Sequence, residues 1–483
     1  MDTCVNKLMI KQNSKDNKLY QTQTFTVPEN VESIAIRVEA SVKAWLTCMV
    51  YDEMNELRAQ FMNISTPQPI IIHKEQEKTS PYTIYGNIGA GRWKADIVMI
   101  ADKVVEENKE WCTVQILYNE IDTEVQSDLC AWQTPGKPIF HLADFHAKKI
   151  KENKAGWYKG DFHTHTIYTD GKMTREENMV SATKQGLDFF VATDHNIIPT
   201  SWFDETDTLV IPGIEVTAPL GHYNILGANK SPFCNHRMID MLSEEGMNKI
   251  IHDDYGDALV SINHPFLTEW KWLFKETPLT SVHCLEICND PTYSANEKAT
   301  ELALEAWTIL LNDGHTITGI GGSDSHLKPT ETYEGSDKPS LIGDPGTFVY
   351  CDHLSTEQVL LHVKQGNVTV SRGERIDFQF NDLLPGSNSD GRNGTIKAFV
   401  KTNEAVYFEW IVNGEIVKRD DAKESSYTFD FTNDDAYKWI RVDVRYEDGR
   451  FYGFTNPIYF GKKQPELKTW GELLTKMEER AND

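Results

Sequence analysis

The chain has 483 residues, two to four times a typical domain, with 40% hydrophobic and 25% charged residues, so it reads as a soluble globular protein with more than one core. Its net charge of −25 (48 Lys and Arg against 73 Asp and Glu) disfavours a nucleic-acid partner, and no local basic track offsets it. No apolar run approaches the ~20 residues of a membrane span, residues 1–23 lack an apolar signal core, and the eight cysteines are scattered, so a reduced, cytoplasmic protein is expected.

Residues 1–131 carry short runs rich in β-branched and aromatic residues, separated by turn-type stretches and without a convincing helical period. They predict an N-terminal β-sandwich of the jelly-roll type. Residues 132–156, with Pro135, Gly136 and Pro138, read as a linker. From residue 157 to 374 strands alternate with helices. Capping boxes at Thr174-x-x-Glu177, Ser294-x-x-Glu297 and Ser355-x-x-Gln358 predict helices over 174–185, 294–313 and 355–365, with another over 236–252. Apolar runs at 189–192, 209–214, 259–262, 285–287, 316–320 and 347–350 suit buried parallel strands. In 375–462 the strand rhythm returns, with hairpin-turn dipeptides at Asn413-Gly414 and Asp448-Gly449, and predicts an immunoglobulin-like β domain. Leu467, Trp470, Leu473, Leu474 and Met477 have helical spacing and predict a terminal helix within 463–483.

Fourteen of the fifteen histidines lie between His141 and His362, which points to metal or acid–base chemistry in the middle of the chain. In Asp161-Phe162-His163-Thr164-His165 the two histidines are two apart, so on a strand they face one side. Such a pair is often just a polar strand edge. The rest of the segment changes that reading. Asp170 follows shortly; Asp194-His195 comes directly after the run 189–192; Glu215 ends the run 209–214, with His222 in Gly221-His222-Tyr223-Asn224. His264 ends 260–263, and Asp324-Ser325-His326 follows 316–321. Ligand-type residues thus recur at strand ends, where parallel barrels build their sites.

Other residues take plainer readings. His141, His146, His236, His252, His283, His315, His353 and His362 read as surface or interior histidines. Trp202, Trp270 and Trp272 either line a pocket or pack in loops. Lys159 and Arg372 either meet a phosphate or form ordinary salt bridges. Glu286 and Asn289 end a strand on the same rim.

Together, Trp157 to His165, Thr169-Asp170-Gly171, Thr193-Asp194-His195-Asn196, Gly213-Ile214-Glu215, Asn263-His264-Pro265 and Ser323-Asp324-Ser325-His326 resemble the PHP (polymerase and histidinol phosphatase) domain, with its HxH…SDG, TDHN, GxE, NHP and SDxH pattern. The flanks of HxH, Glu215 and His222 most resemble the CehA/McbA-type metallohydrolase branch. The resemblance implies a multidomain chain, α/β plus all-β, whose distorted (β/α)7 PHP barrel is flanked by the two β domains. It also implies two to three divalent metal ions, Zn2+, Mn2+ or Fe2+. By position, His163, His165, Glu215 and Asp324 would hold the first, Glu215 would bridge to a second on His264 and His222, and Asp170, His195 and His326 would hold a third. Asp194 would orient His195, so that Glu215, Asp194, His195 and His222 carry the catalytic roles. The implied activity is hydrolysis of a small phosphoester by a hydroxide held between metals. Hydrolysis of an aryl carbamate, ester or amide is the second reading, and a non-catalytic metal-containing binding protein the third.

Overall fold

The computed structural model describes residues 5–482 except 13, 63–68, 120–128, 135–136, 143–144, 146 and 204–205, so Pro135, Gly136 and His146 lie outside the described residues. The chain begins with eight strands: β1 (Val5–Lys11), β2 (Asp16–Val27), β3 (Ser33–Ala40), β4 (Ala44–Tyr51), β5 (Leu57–Met62), β6 (Ile70–His73), β7 (Gly91–Val105) and β8 (Glu110–Tyr118). They form two antiparallel sheets, ordered β1-β8-β3-β6 and β2-β7-β4-β5, which is the jelly-roll arrangement. Inward-facing Ile34, Leu46, Trp93, Trp111 and Ile116 fill the space between them. Tyr82 to Tyr85 forms no strand and meets β5 through an Ala59–Thr83 bridge and the side chains of Arg58 and Gln60.

The central unit contains β9 (Leu129–Ala131), β10 (Gly156–Asp161), α1 (Arg175–Lys184), β11 (Phe189–Ala192), β12 (Ser201–Phe203), β13 (Leu209–Ala218), β14 (Gly221–Leu226), α2 (Glu244–Ile251), β15 (Leu259–Ile262), β16 (Cys284–Asn289), α3 (Asn296–Asp313), β17 (Thr318–Gly322), β18 (Gly346–Cys351), α4 (Thr356–Lys364) and β19 (Val368–Ser371). β10, β11 and β13 run parallel, as do β15, β16 and β17. The strand–helix alternation is incomplete. Gly221 to Leu226, where no strand is predicted, forms β14, antiparallel to β13 and β15. A two-residue turn, Pro219-Leu220, joins β13 to β14, which is possible only for antiparallel strands. Gly221 follows it at φ +126°, and a Cβ there would lie 2.7 Å from the Trp272 backbone. The predicted parallel run 347–350 is also antiparallel, to β10 and β19. The sheet curls until β17 and β18 meet: Gly321 N donates to Thr347 Oγ1 (3.0 Å), which donates to Gly321 O (2.8 Å).

The helix starts follow their caps with one exception. Thr174 closes a complete capping box at α1, and Ser355 accepts from Gln358 N at α4. The box at Ser294 does not form; α3 starts after Ala295, and Asn296 turns its amide inward to Asn289 Oδ1 (2.9 Å).

The remaining strands are β20 (Ile376–Gln379), β21 (Asn393–Val400), β22 (Val406–Val412), β23 (Glu415–Asp420), β24 (Glu424–Asp430), β25 (Lys438–Tyr446), β26 (Phe451–Thr455) and β27 (Ile458–Phe460), followed by α5 (Trp470–Asn482). β20, β21 and β24 form one sheet; β26 pairs with β19, so the central sheet runs on through β25 to β22 and β23. Hydrogen bonding therefore crosses the expected boundary at residue 375 without a break. α5 folds back onto the central unit, Trp470 N donating to Thr277 O at 2.9 Å.

Candidate metal centre

β10 ends at Asp161, whose buried carboxylate accepts from the backbone of His163 (3.0 Å), Ser323 (3.0 Å) and Gly343 (2.7 Å). The His163–His165 pair thus sits just beyond the strand rather than on it. Thr164 between them is tied to the neighbouring strand, its Oγ1 donating to Val191 O (2.8 Å), while both imidazoles are fully buried on the site side. His195, beyond the end of β11, forms an isolated bridge with Glu215 on β13. His264 and Asp324, just past the ends of β15 and β17, have φ values of +27° and +48°, a left-handed backbone that non-glycine residues adopt at a cost of order 1–3 kcal/mol. The strain turns each side chain back over its strand end.

The carboxylate of Glu215 is the hub. Its Oε1 lies 3.3 Å from His163 Nε2, 3.2 Å from His222 Nδ1 and 3.4 Å from His264 Nε2. Its Oε2 lies 2.6 Å from His195 Nδ1 and 3.5 Å from His165 Nε2. Asp324 Oδ1 reaches His165 Nε2 (2.9 Å) and His163 Nε2 (3.3 Å), and Asp170 Oδ1 reaches His326 Nε2 (3.1 Å) and His195 Nε2 (3.2 Å). All nine residues singled out in the sequence therefore meet in one cluster. Within it, four sets have potential ligand atoms within 4.8 Å of one another: His165, Asp170, His195 and His326; His163, His264 and Asp324; His163, His165 and Glu215; His195, Glu215 and His222. These sets divide the residues differently from the family assignment, since His165 also joins Asp170, His195 and His326.

The rings are held from behind. Glu286 Oε1 accepts from His163 Nδ1 at 3.0 Å and its Oε2 accepts from the His264 backbone at 2.7 Å, so this rim residue orients two imidazoles. Thr217 Oγ1 lies 2.5 Å from His195 Nδ1, and Asn263 Nδ2 donates to Glu215 Oε1 at 2.9 Å. Asp194 does not orient His195, contrary to the sequence reading. Its carboxylate accepts from Thr166 N (2.8 Å), Thr166 Oγ1 (2.8 Å), Thr169 Oγ1 (2.7 Å) and the Tyr82 hydroxyl, and so fixes the loop between His165 and Asp170.

Charge and orphaned atoms make this donor set fit divalent ions. Burial opposes ionisation of Glu215, Asp170 and Asp324, yet the facing histidines hold all three well below the ordinary carboxylate range. Burial likewise opposes protonation of His163, His195 and His326; the surrounding carboxylates outweigh it, raising His326 to about 9 and the other two well above an ordinary imidazole. Burial and the neighbouring His326 and His195 lower His165 to about 4. Buried His163 Nε2, both nitrogens of His165, His264 Nδ1, Asp170 Oδ1, Glu215 Oε2 and Asp324 Oδ1 have no well-directed hydrogen-bond partner. Imidazole nitrogens and carboxylate oxygens without thiolates suit Zn2+, Mn2+ or Fe2+.

The cluster opens into a cavity of about 490 Å³ that the sequence does not foreshadow. One wall belongs to the jelly roll: Trp45, Thr47, Met62, Val98 and Ile100 of β4, β5 and β7 face it, and the Trp45 ring stands edge-on to His195, centroids 5.7 Å apart. Trp270 and Asn289 also line it. Trp202 and Trp272 are buried elsewhere, stacked against Trp132 and bonded to Thr277 Oγ1 (3.0 Å) respectively. Lys159 donates to Gln185 O (3.1 Å) and Arg372 forms a two-pronged pair with Asp344 (3.2 and 3.1 Å), so neither reaches the cavity. Of the histidines given plain readings, His315 reaches Leu467 O (3.1 Å), His362 reaches Asn367 Oδ1 (2.7 Å) and His141 is exposed.

No family profile matches the chain, and no curated protein does. Among solved structures, a two-domain protein containing a predicted PHP-like metal-dependent phosphoesterase from Bacteroides vulgatus aligns at a TM-score of 0.37 with 14% identity, over 64% of this chain and 98% of that one. A protein described as a "putative beta-galactosidase" from Bacteroides fragilis aligns at 0.18 with 7% identity, over 95% and 74%. At these scores neither likeness carries an argument, and the functional reading rests on the residues above.

Proposed function

We propose that the chain is a metal-dependent hydrolase of the PHP type, acting on a small molecule. The observation that supports this most directly is the clustering of six imidazoles and three carboxylates, five of the imidazoles around Glu215, several of their atoms buried without hydrogen-bond partners, at the floor of an open cavity. Divalent ions bound there would lower the pKa of a water molecule and polarise the scissile oxygen. The protein's own part is to orient the ligands: Glu286 holds His163 and His264, Thr217 holds His195, and Asp194 holds the loop bearing Asp170. Asp170, His195, Asp324 and His326 all line the cavity, so ions held by them would be accessible to a substrate.

Phosphoesters lead the sequence expectation, but a phosphate dianion is best met by Arg or Lys. None lines the cavity among the described residues, whereas Asp290 and Glu269 do. That lining favours the second reading, an ester, carbamate or amide with an uncharged apolar part, over a phosphomonoester. The test is metal analysis of the purified chain with a hydrolysis screen of phosphomonoesters, phosphodiesters, aryl esters and aryl carbamates before and after chelation. Two to three divalent ions per chain and chelator-sensitive turnover are expected. Less than one tightly bound ion after growth and assay in Zn2+, Mn2+ and Fe2+ would defeat the proposal.

A further inference from the structure

Of the twelve tryptophans in the chain, only Trp45 and Trp270 are exposed, at 39% and 42%, and both line the cavity above the metal-ligating cluster. They come from different parts of the fold. Trp45 is on β4 of the jelly roll, whereas Trp270 follows His264 in a turn closed by its own N–H donating to Leu267 O at 3.0 Å. Large indoles left in water are unfavourable, and two of them at one opening leave apolar surface for a ligand to cover. Around them the lining continues with Met62, Val98, Ile100 and Leu267, and with the Tyr293–Tyr333 ring pair (centroids 5.2 Å apart). No Lys or Arg interrupts this wall among the described residues. The cavity volume of about 490 Å³ is in the range of small-molecule sites, too small for a folded partner.

We infer that Trp45 and Trp270 are specificity-determining residues, which grip a flat, uncharged apolar group of the substrate between the jelly roll and the central unit. The inference rests on the hydrolase reading for the word substrate, but the binding it describes does not need turnover. Trp45 touches His195 edge-on, so a group held against its face lies beside the metal ligands and its reacting bond can reach them. The N-terminal sandwich is thereby part of the active site, and neutral molecules are selected over dianions because the wall adds the acids Asp290 and Glu269 and no Lys or Arg.

The test uses the full chain and the neutral bicyclic probe indole, titrated by calorimetry into metal-stripped and metal-loaded protein. Wild type should bind indole in both forms. Trp45→Ala and Trp270→Ala should each weaken binding about tenfold, in line with the cost of truncating an aromatic contact, while Trp45→Phe should stay within about threefold of wild type. In parallel, chelator-sensitive hydrolysis of 2-naphthyl acetate should show a raised KM in Trp45→Ala with kcat much less affected. Failure of wild type to bind indole, or alanine variants binding it within about twofold of wild type, overturns the inference even if hydrolysis is robust. Loss of indole binding in the variants with no turnover of any ester or phosphoester supports the aromatic grip and defeats the hydrolase reading instead.

Discussion

The phenol of Tyr82, carried by the N-terminal sandwich, donates to the carboxylate of Asp194 in the central unit. Both groups are buried, and the same carboxylate accepts three further hydrogen bonds from Thr166 and Thr169. Tyr82→Phe removes one of four donors and should cost roughly 1–2 kcal/mol in urea denaturation. Asp194→Asn should do more, because its NH2 end cannot accept from hydroxyls that now need an acceptor. The loop to Asp170 would loosen, and metal affinity should fall about 10–100-fold, the range seen when groups that orient ligands are removed. A competition titration with a chelating dye reads this, and an Asn variant with unchanged affinity would contradict the positioning role.

Glu215 is the carboxylate nearest to five histidines, so it carries the largest share of the site's compensating charge. Glu215→Gln keeps the shape but offers one neutral oxygen. Cations bound in the cluster would then repel one another with less negative charge to offset it, and at least one should be lost. A fall in kcat of roughly 100-fold or more is expected, by analogy with removing one strong electrostatic stabiliser. Elemental analysis and kinetics on the same preparation check it. Full metal content with near-normal turnover would mean that the cluster is organised around other carboxylates.

Asp290, in the cavity wall, is pushed up to about 6 by burial, against hydrogen bonds from Ser340 (2.6 Å) and Thr292 (2.6 Å) that favour its ionised form. Its folded-state value lies above its ordinary 3.8, so folding takes up a proton in between. The stability this group contributes is fully present below about 3.8 and is lost as pH rises through about 6. Relative to Asp290→Asn, which does not titrate, wild type should therefore lose about 1–1.5 kcal/mol between pH 5 and pH 8. Urea melts of both proteins at the two pH values decide it. A stability difference that stays flat would show that Asp290 is ionised throughout.

Most of the ligand-type residues were legible because they follow an apolar run, a local pattern that survives in one dimension; Asp170 and His222 do not. Glu286 lies inside β16 rather than at its end, and nothing local showed which rings it would hold. β14 was missed for a physical reason: His222-Tyr223-Asn224 alternates too briefly to read as a strand, and it forms because Pro219-Leu220 turns the chain back onto β13. Trp202 and Trp272 share composition and loop context with Trp270, yet only Trp270 faces the cavity. Packing decides that, not sequence. The role of Asp194 and the jelly-roll wall were illegible because they depend on contacts between residues distant in the chain, Asp194 with Thr166, Thr169 and Tyr82 and Trp45 with His195.

The C-terminal strands raise the question of whether residues 157–374 fold alone, and the contacts of Asn456 argue that they do not. Its side chain accepts from Gly319 N (2.9 Å) and donates to Gly319 O (2.9 Å), satisfying both backbone groups of a residue inside β17. It also donates to Val368 O at 3.2 Å, while the Phe454 ring lies tilted against Trp307 with centroids 5.2 Å apart. Because β17 leads directly into Asp324 and His326, this latch supports the strand beneath the metal cluster. Asn456→Ala would leave a buried N–H and a buried C=O unpaired, each costing roughly 1–3 kcal/mol, so a loss of about 2–4 kcal/mol is expected after partial rescue by water. Asn456→Asp keeps the acceptor for Gly319 N but sets an anion against Gly319 O, and should be no better. A chain ending at residue 374 loses the latch and the whole β19–β26 ladder, and should be recovered only as aggregate or as a protein without a cooperative melt. If instead that shortened chain melts cooperatively and binds metal with wild-type affinity, the central unit is independent and the continuous sheet is an accessory to it.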